Sequence, residues 1–311
     1  MTHGTHGEHP TPEGQHTPGA DGAGSTRARR ILAPNPGPMT LDGTNTWIVA
    51  EPGARRAVVI DPGPLHEGHL GRVLEEVRRG GCEVGVVLLT HGHADHSEGA
   101  ARFAELSGAP VRALDPAHRL GSEGLGEGDV VSTGGLELRV LATPGHTADS
   151  LCFHLPADGA VLTGDTVLGR GSTVVAHPDG RLGPYLESLE RLRALAAETG
   201  TETILPGHGP VLRDALAALD GYLGHRRARL EQVAEALTAG HRTAREVVAA
   251  VYADVDPALW PAAELSVRAQ LEYLGHRVDV DQPGHHDDGP HHDDGPRDDG
   301  GHGTAERAPR H

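Results

Sequence analysis

Short apolar runs alternate along this chain with stretches in which apolar positions recur every three or four residues. The runs Thr46 to Ala50, Ala57 to Ile60, Val84 to Leu89, Leu136 to Leu141 and Ala160 to Thr163 predict strands. Between them, Leu70, Val73, Leu74 and Val77 share one helical face, and Leu186, Leu189, Leu192 and Leu195 mark another. Strands and helices interleave to about residue 212, which predicts an α/β domain. Beyond it the pattern turns helical, with Leu216, Leu219, Leu223, Leu230, Val233 and Leu237 in one stripe. Thr243 and Glu246 have capping-box spacing, and Asp256-Pro257 opens a third helix that Gly275 can end. With the short Val-rich segment Arg277 to Val280, this predicts a small C-terminal winged-helix-like unit over residues 213–280. A plain packing appendage has the same pattern.

Composition changes the picture at the ends. Residues 1–28 are crowded with Gly, Pro, Thr and His, and residues 281–311 repeat His-His-Asp-Asp-Gly-Pro at His285 and His291, so both are expected to be disordered tails. No run approaches the roughly 18 apolar residues that span a bilayer, and the first thirty residues lack the apolar core of a secretory signal. The expectation is a cytoplasmic protein with no membrane partner. Cys82 and Cys152 lie in or beside apolar runs and read as small buried groups, not a disulfide framework. The formal charge of -17 disfavours broad electrostatic capture of nucleic acid, though not a local basic patch. Lysine is absent throughout, tails included, so it carries no functional reading.

The densest chemistry is Thr90-His91-Gly92-His93-Ala94-Asp95-His96, immediately after the predicted buried strand Val84 to Leu89. A rigid sheet can aim such a loop, and imidazole nitrogens with carboxylate oxygens are what zinc takes in a site that leaves a position open. His91 and His93 can point to one side, while Asp95 and His96, past the bend, can face a second ion.

That segment resembles the H-x-H-x-D-H signature of the metallo-β-lactamase-fold hydrolases. Thr143-Pro144-Gly145-His146-Thr147, Thr163-Gly164-Asp165-Thr166 and Pro206-Gly207-His208-Gly209-Pro210 resemble that family's later loops, in order. The resemblance covers about residues 31–280. It implies an αββα metallo-β-lactamase sandwich over residues 29–212 with the helical unit appended, and two Zn2+ per chain. His91, His93 and His146 would bind one ion and Asp95, His96 and His208 the other, with Asp165 bridging. Asp95 and Asp165 are also the implied catalytic carboxylates. Asp61, in Ile60-Asp61-Pro62-Gly63, matches a family position that orients a metal-binding imidazole, or is an ordinary turn aspartate. The run Asn35 to Thr46 resembles the beta-lactamase-like-protein-2 branch, which makes Thr44 and Asn45 candidate substrate contacts; a structural hairpin fits equally. Gly169-Arg170-Gly171-Ser172-Thr173 adds Ser172 as a candidate substrate contact.

The resemblance therefore implies a dinuclear zinc-dependent hydrolase that directs a metal-bound hydroxide at an ester, thioester or phosphodiester. The bridging aspartate disfavours lactam opening. A small-molecule or carrier-bound acyl substrate and single-stranded RNA both stay open. RNA would make the protein an endoribonuclease, with Arg226, Arg227 and Arg229 of the helical unit available to guide a phosphate chain. A third reading is a metal- or nucleic-acid-binding module without catalysis.

Overall fold

The computed structural model describes residues 24–276. The tails and the Val-rich segment 277–280 lie outside the described residues, apart from residues 24–28 at the inner edge of the first tail. There the expectation of disorder is corrected. Ser25 is buried and hydrogen-bonds Asp158, and Arg27 donates to Glu51 at 2.6 Å and pairs with Asp158. A strand then starts at Ala28.

Two five-stranded mixed sheets face each other. The first runs β1 (Ala28–Leu32), β2 (Asn45–Val49), β3 (Arg56–Ile60), β4 (Glu83–Leu88), β5 (Val111–Arg112), antiparallel across β1 to β3 and parallel across β3 to β5. The second holds β6 (Val130–Thr133), β7 (Leu136–Ala142), β8 (Leu151–Leu155), β9 (Ala160–Gly164) and β10 (Thr203–Pro206), of which only β9 and β10 pair in parallel. Strand alternation explains why so many runs are apolar on both faces. Val58, Ile60 and Leu88 point between the sheets against Leu138, Phe153 and Leu162. Their neighbours Ala57, Val59 and Val87 point outward against helices α1 (Glu67–Arg79) and α3 (Ala100–Ser107). The outer face of the second sheet packs on α4 (Leu182–Thr199) and the start of α5 (Ala215–Thr238). The result is the four-layer αββα arrangement.

Two periodic stripes shift. On α4 the buried face is Leu182, Tyr185, Leu189, Leu192 and Ala196, because 3.6-residue periodicity carries strict three-residue spacing off the interface; Leu186 and Leu195 are only half-buried. On α5, Leu216 is 37% exposed. That helix serves two cores: Leu219, Tyr222 and Leu223 pack with α4, while Val233, Ala236 and Leu237 pack with α6 (Ala244–Val251) and α7 (Trp260–Tyr273). Thr243 and Glu246 form the expected capping box, and Gly275 takes φ +75° just past α7. Both cysteines are buried free thiols. Among the described residues no helix is long and apolar enough to cross a membrane.

Candidate metal centre

The ends of the central strands deliver every side chain of the cluster to one edge of the sandwich. His91 follows β4, the four-residue helix α2 (Ala94–Ser97) carries Asp95 and His96, and His146 lies between β7 and β8. Asp165 is the residue after β9, and His208 comes two residues after β10. The sheets are stitched together here: the Leu151 amide donates to Thr90 O at 2.7 Å, the Asn45 amide donates to Gly207 O at 2.7 Å, and Thr44 bridges His208. Gly207 is required by close approach. A Cβ there would sit 2.5 Å from Asp165 Oδ1 and 2.8 Å from His96 Cε1.

The ligand-type atoms converge in three overlapping groups: His91, His93 and His146; His91, His96 and Asp165; Asp95, His96 and His208. Within each group they lie inside 4.8 Å of one another. The outward ring nitrogens fix the tautomers. His146 Nδ1 faces Val174 O at 2.7 Å and His208 Nδ1 faces Gly43 O at 3.1 Å; a carbonyl can only accept, so both Nδ1 atoms carry the proton. Asp61 does the same for His96, 2.9 Å from its Nδ1. Asp61 also accepts from the Thr90 amide at 2.8 Å and the Thr90 hydroxyl at 2.7 Å. With its proton committed there, Thr90 Oγ1 accepts from His91 Nδ1 at 3.0 Å. One carboxylate thus orients two imidazoles, and Asp61 holds the left-handed φ of +51° to do so.

Four imidazoles therefore aim Nε2 lone pairs inward. His93, the exposed member, turns its Nδ1 to the same space, 3.0 Å from both His91 Nε2 and His146 Nε2. His96 Nε2 and His208 Nε2 are 3.3 Å apart. Asp165 spans the groups, with Oδ1 3.3 Å from His96 and Oδ2 3.3 Å from His208 and 3.8 Å from His146; its buried Oδ1 receives no hydrogen bond among the described residues.

Residues 39–208 match the metallo-beta-lactamase superfamily, and residues 243–282 match the beta-lactamase associated winged helix domain. The chain belongs to the metallo-beta-lactamase superfamily. It is 31% identical over 266 residues to the Beta-lactamase-like protein 2 homolog of Drosophila melanogaster, covering 79% of this chain and 86% of that one. The Lactamase-like protein adaB of Aspergillus niger is 35% identical over 212 residues, 67% of this chain; the match spans only 63% of adaB's own length. A metallo-beta-lactamase family protein from Thermus thermophilus shares the fold, with a TM-score of 0.66 and 24% identity over 80% of this chain and 93% of that chain.

The donor set fits the cations this superfamily binds. Inward lone pairs about 3 Å apart, beside a buried carboxylate oxygen without a donor, repel one another unless positive charge lies among them. Without metal, protons supply that charge. Burial works against it, but Asp165 and Asp61 hold His96 well above the usual imidazole range, and the hydrogen bonds that protonated His208 donates to Asp165 and Asp95 raise it to about 9. Burial likewise opposes the ionisation of Asp95, yet the His208 hydrogen bond and the His96 charge lower it to about 2. His91 and His146 go the other way: burial, with neighbouring imidazoles, keeps both neutral.

Two of the three substrate-contact expectations change. Thr44 is buried, donating from Oγ1 to Asp95 Oδ2 at 2.9 Å, so it braces a cluster carboxylate. Asn45 is buried too, and its amide donates to Pro206 O and Gly209 O, each at 2.9 Å. Neither presents a surface to a ligand. Ser172 is exposed, 3.5 Å from His225 Nδ1. The sequence reading missed the cavity of about 260 Å3 beside His93, lined by Gly92, Asp115, His118, Asp149 and Asp179 among others. Its residues come from separate loops, and no local motif links them.

Proposed function

We propose that the chain is a dinuclear zinc hydrolase of esters or thioesters. His91, His93 and His146 would hold one ion, Asp95, His96 and His208 the other, and Asp165 would lie between them. Ions held there supply Lewis acidity and lower the pKa of water toward neutrality. The chain's own residues do the positioning: Asp61 and Thr90 keep Nε2 of His91 and His96 unprotonated toward the ions, and Thr44 pins the Asp95 carboxylate. His93, on the open side, stands where a substrate carbonyl would enter.

The observation that favours a carbonyl over a phosphodiester is the entrance. The cavity beside His93 carries three carboxylates, Asp115, Asp149 and Asp179, which repel a phosphate chain and accept an uncharged acyl group. The arginines that would have guided RNA are engaged elsewhere. Arg226 is buried and donates to Thr173 O, Arg227 donates to Glu190 at 2.9 Å, and Arg229 donates to Val251 O at 2.8 Å and stacks on Tyr252.

The test assays the zinc-loaded chain on acyl thioesters, simple esters and single-stranded RNA, with His93→Ala as control. Thioester or ester turnover that disappears in the control supports the proposal. RNA cleavage without carbonyl hydrolysis overturns the substrate class, and no zinc-dependent turnover of any of them overturns the hydrolase assignment.

A further inference from the structure

We propose that Arg226, on α5, is a positioning residue for His146 and Asp165, so that the helix leading into the appended unit is a working part of the metal centre. This rests on the metal reading above. Arg226 is 8% exposed, forms no ion pair among the described residues, and its buried Nε has no hydrogen-bond partner there. A guanidinium so placed is costly, and an apolar side chain would fill the same volume more cheaply. What Arg226 touches is therefore informative.

Its Nη2 donates to Thr173 O, and its Cζ lies 4.9 Å from the centre of the Tyr185 ring. Both contacts lead to the cluster. The Thr173 hydroxyl donates to Asp165 O at 2.7 Å, and the next carbonyl, Val174 O, accepts from His146 Nδ1 at 2.7 Å. Tyr185 donates to Thr166 O at 2.7 Å, beside Asp165. Fixing the 173–174 peptide thus sets where Asp165 begins and which way the His146 ring faces. Two neighbours on α5 hold the same loop: Tyr222 Oη accepts from the Leu168 amide at 2.8 Å, and His225 meets Ser172. The supports of the other group lie elsewhere, and one of them, Asp61, also reaches His91 through Thr90. Asp95, His96 and His208 are braced by Thr44, Asp61 and Gly43 O, none of them on α5. Asp165 is shared, but His146 belongs to one group alone, so loss of the Arg226 contact should loosen the two metal positions unequally, which a general packing role would not do.

The experiment titrates the metal-free full chain with Co2+ against a competing chelator, and locates the ions by anomalous scattering in crystals at sub-stoichiometric loading. Wild type, Arg226→Met, Arg226→Lys and the surface control Arg227→Met are compared, with folding checked by far-UV spectrum and melting. Arg226→Met is expected to weaken the His91, His93 and His146 position about 10- to 100-fold, the usual cost of losing a ligand's support, and the other position less than about threefold. Arg226→Lys keeps the charge without the planar fork and should show the same selectivity at smaller size; it decides alone if Arg226→Met does not fold. Equal weakening of both positions, or none, overturns the proposal while leaving the metal reading intact. A wild-type chain that binds no Co2+ overturns both.

Discussion

Replacing Asp61 separates orientation from stability. In Asp61→Ala, the buried Thr90 amide and His96 Nδ1–H lose their acceptor and the Thr90 hydroxyl loses its own. Each stranded buried donor costs about 1–3 kcal/mol; the Thr90 hydroxyl can rotate away, so the two N–H groups cost about 2–6 kcal/mol, and water entering the vacated space brings the expectation to the lower half of that range. Asp61→Asn differs in kind. Its oxygen can keep the Thr90 amide, which places the NH2 group toward His96 Nδ1. Two donors cannot face each other, so His96 must give up its Nδ1 proton and keep the one on Nε2, the atom aimed into the cluster. The amide variant should therefore fold with a loss of about 1 kcal/mol, the net worth of one hydrogen bond, yet bind metal about 10- to 100-fold more weakly. Urea denaturation of metal-free protein gives the first quantity and chelator competition the second. Wild-type metal affinity in Asp61→Asn, or equal destabilisation of both variants, would refute the tautomer argument.

Two further substitutions probe the walls of the cluster. Thr44→Val strands the Asn35 amide and removes the Asp95 hydrogen bond, so it should cost about 1–2 kcal/mol in denaturation and weaken metal uptake; a rise in KM with unchanged metal affinity would instead restore Thr44 as a substrate contact. Gly207→Ala pushes a methyl group to within 2.5 Å of Asp165 Oδ1, and metal titration should show binding weaker by about tenfold or more. Binding indistinguishable from wild type would mean that the Asp165 loop yields freely.

The residues that converge at the centre were legible because their type is unusual for the places they occupy. Histidines and aspartates directly after apolar strands have little to do but hold charge, and strand order brings those ends together. The interleaved apolar runs and helical stripes predicted an α/β domain, and its αββα layering was what the resemblance of the histidine motifs implied. What failed to read was direction. The polar, glycine-rich stretch around Thr44 and Asn45 looks like an exposed rim, but its bridge to His208 and the carbonyls of Pro206 and Gly209 draw it inside. The arginines of α5 look like a basic strip, and only the packing shows that Arg226 points inward while its neighbours are paired. The acidic cavity had no signature, since Gly92, Asp115, Asp149 and Asp179 are scattered along the chain.

The central claim is that the cluster holds two zinc ions, and an anomalous-difference map recorded above the zinc edge on crystals of the full chain tests it most directly. The account predicts two peaks, one enclosed by His91, His93 and His146 and one by Asp95, His96 and His208, with Asp165 between them. A single peak, a different metal at the edge scan, or zinc bound only away from this cluster would contradict it.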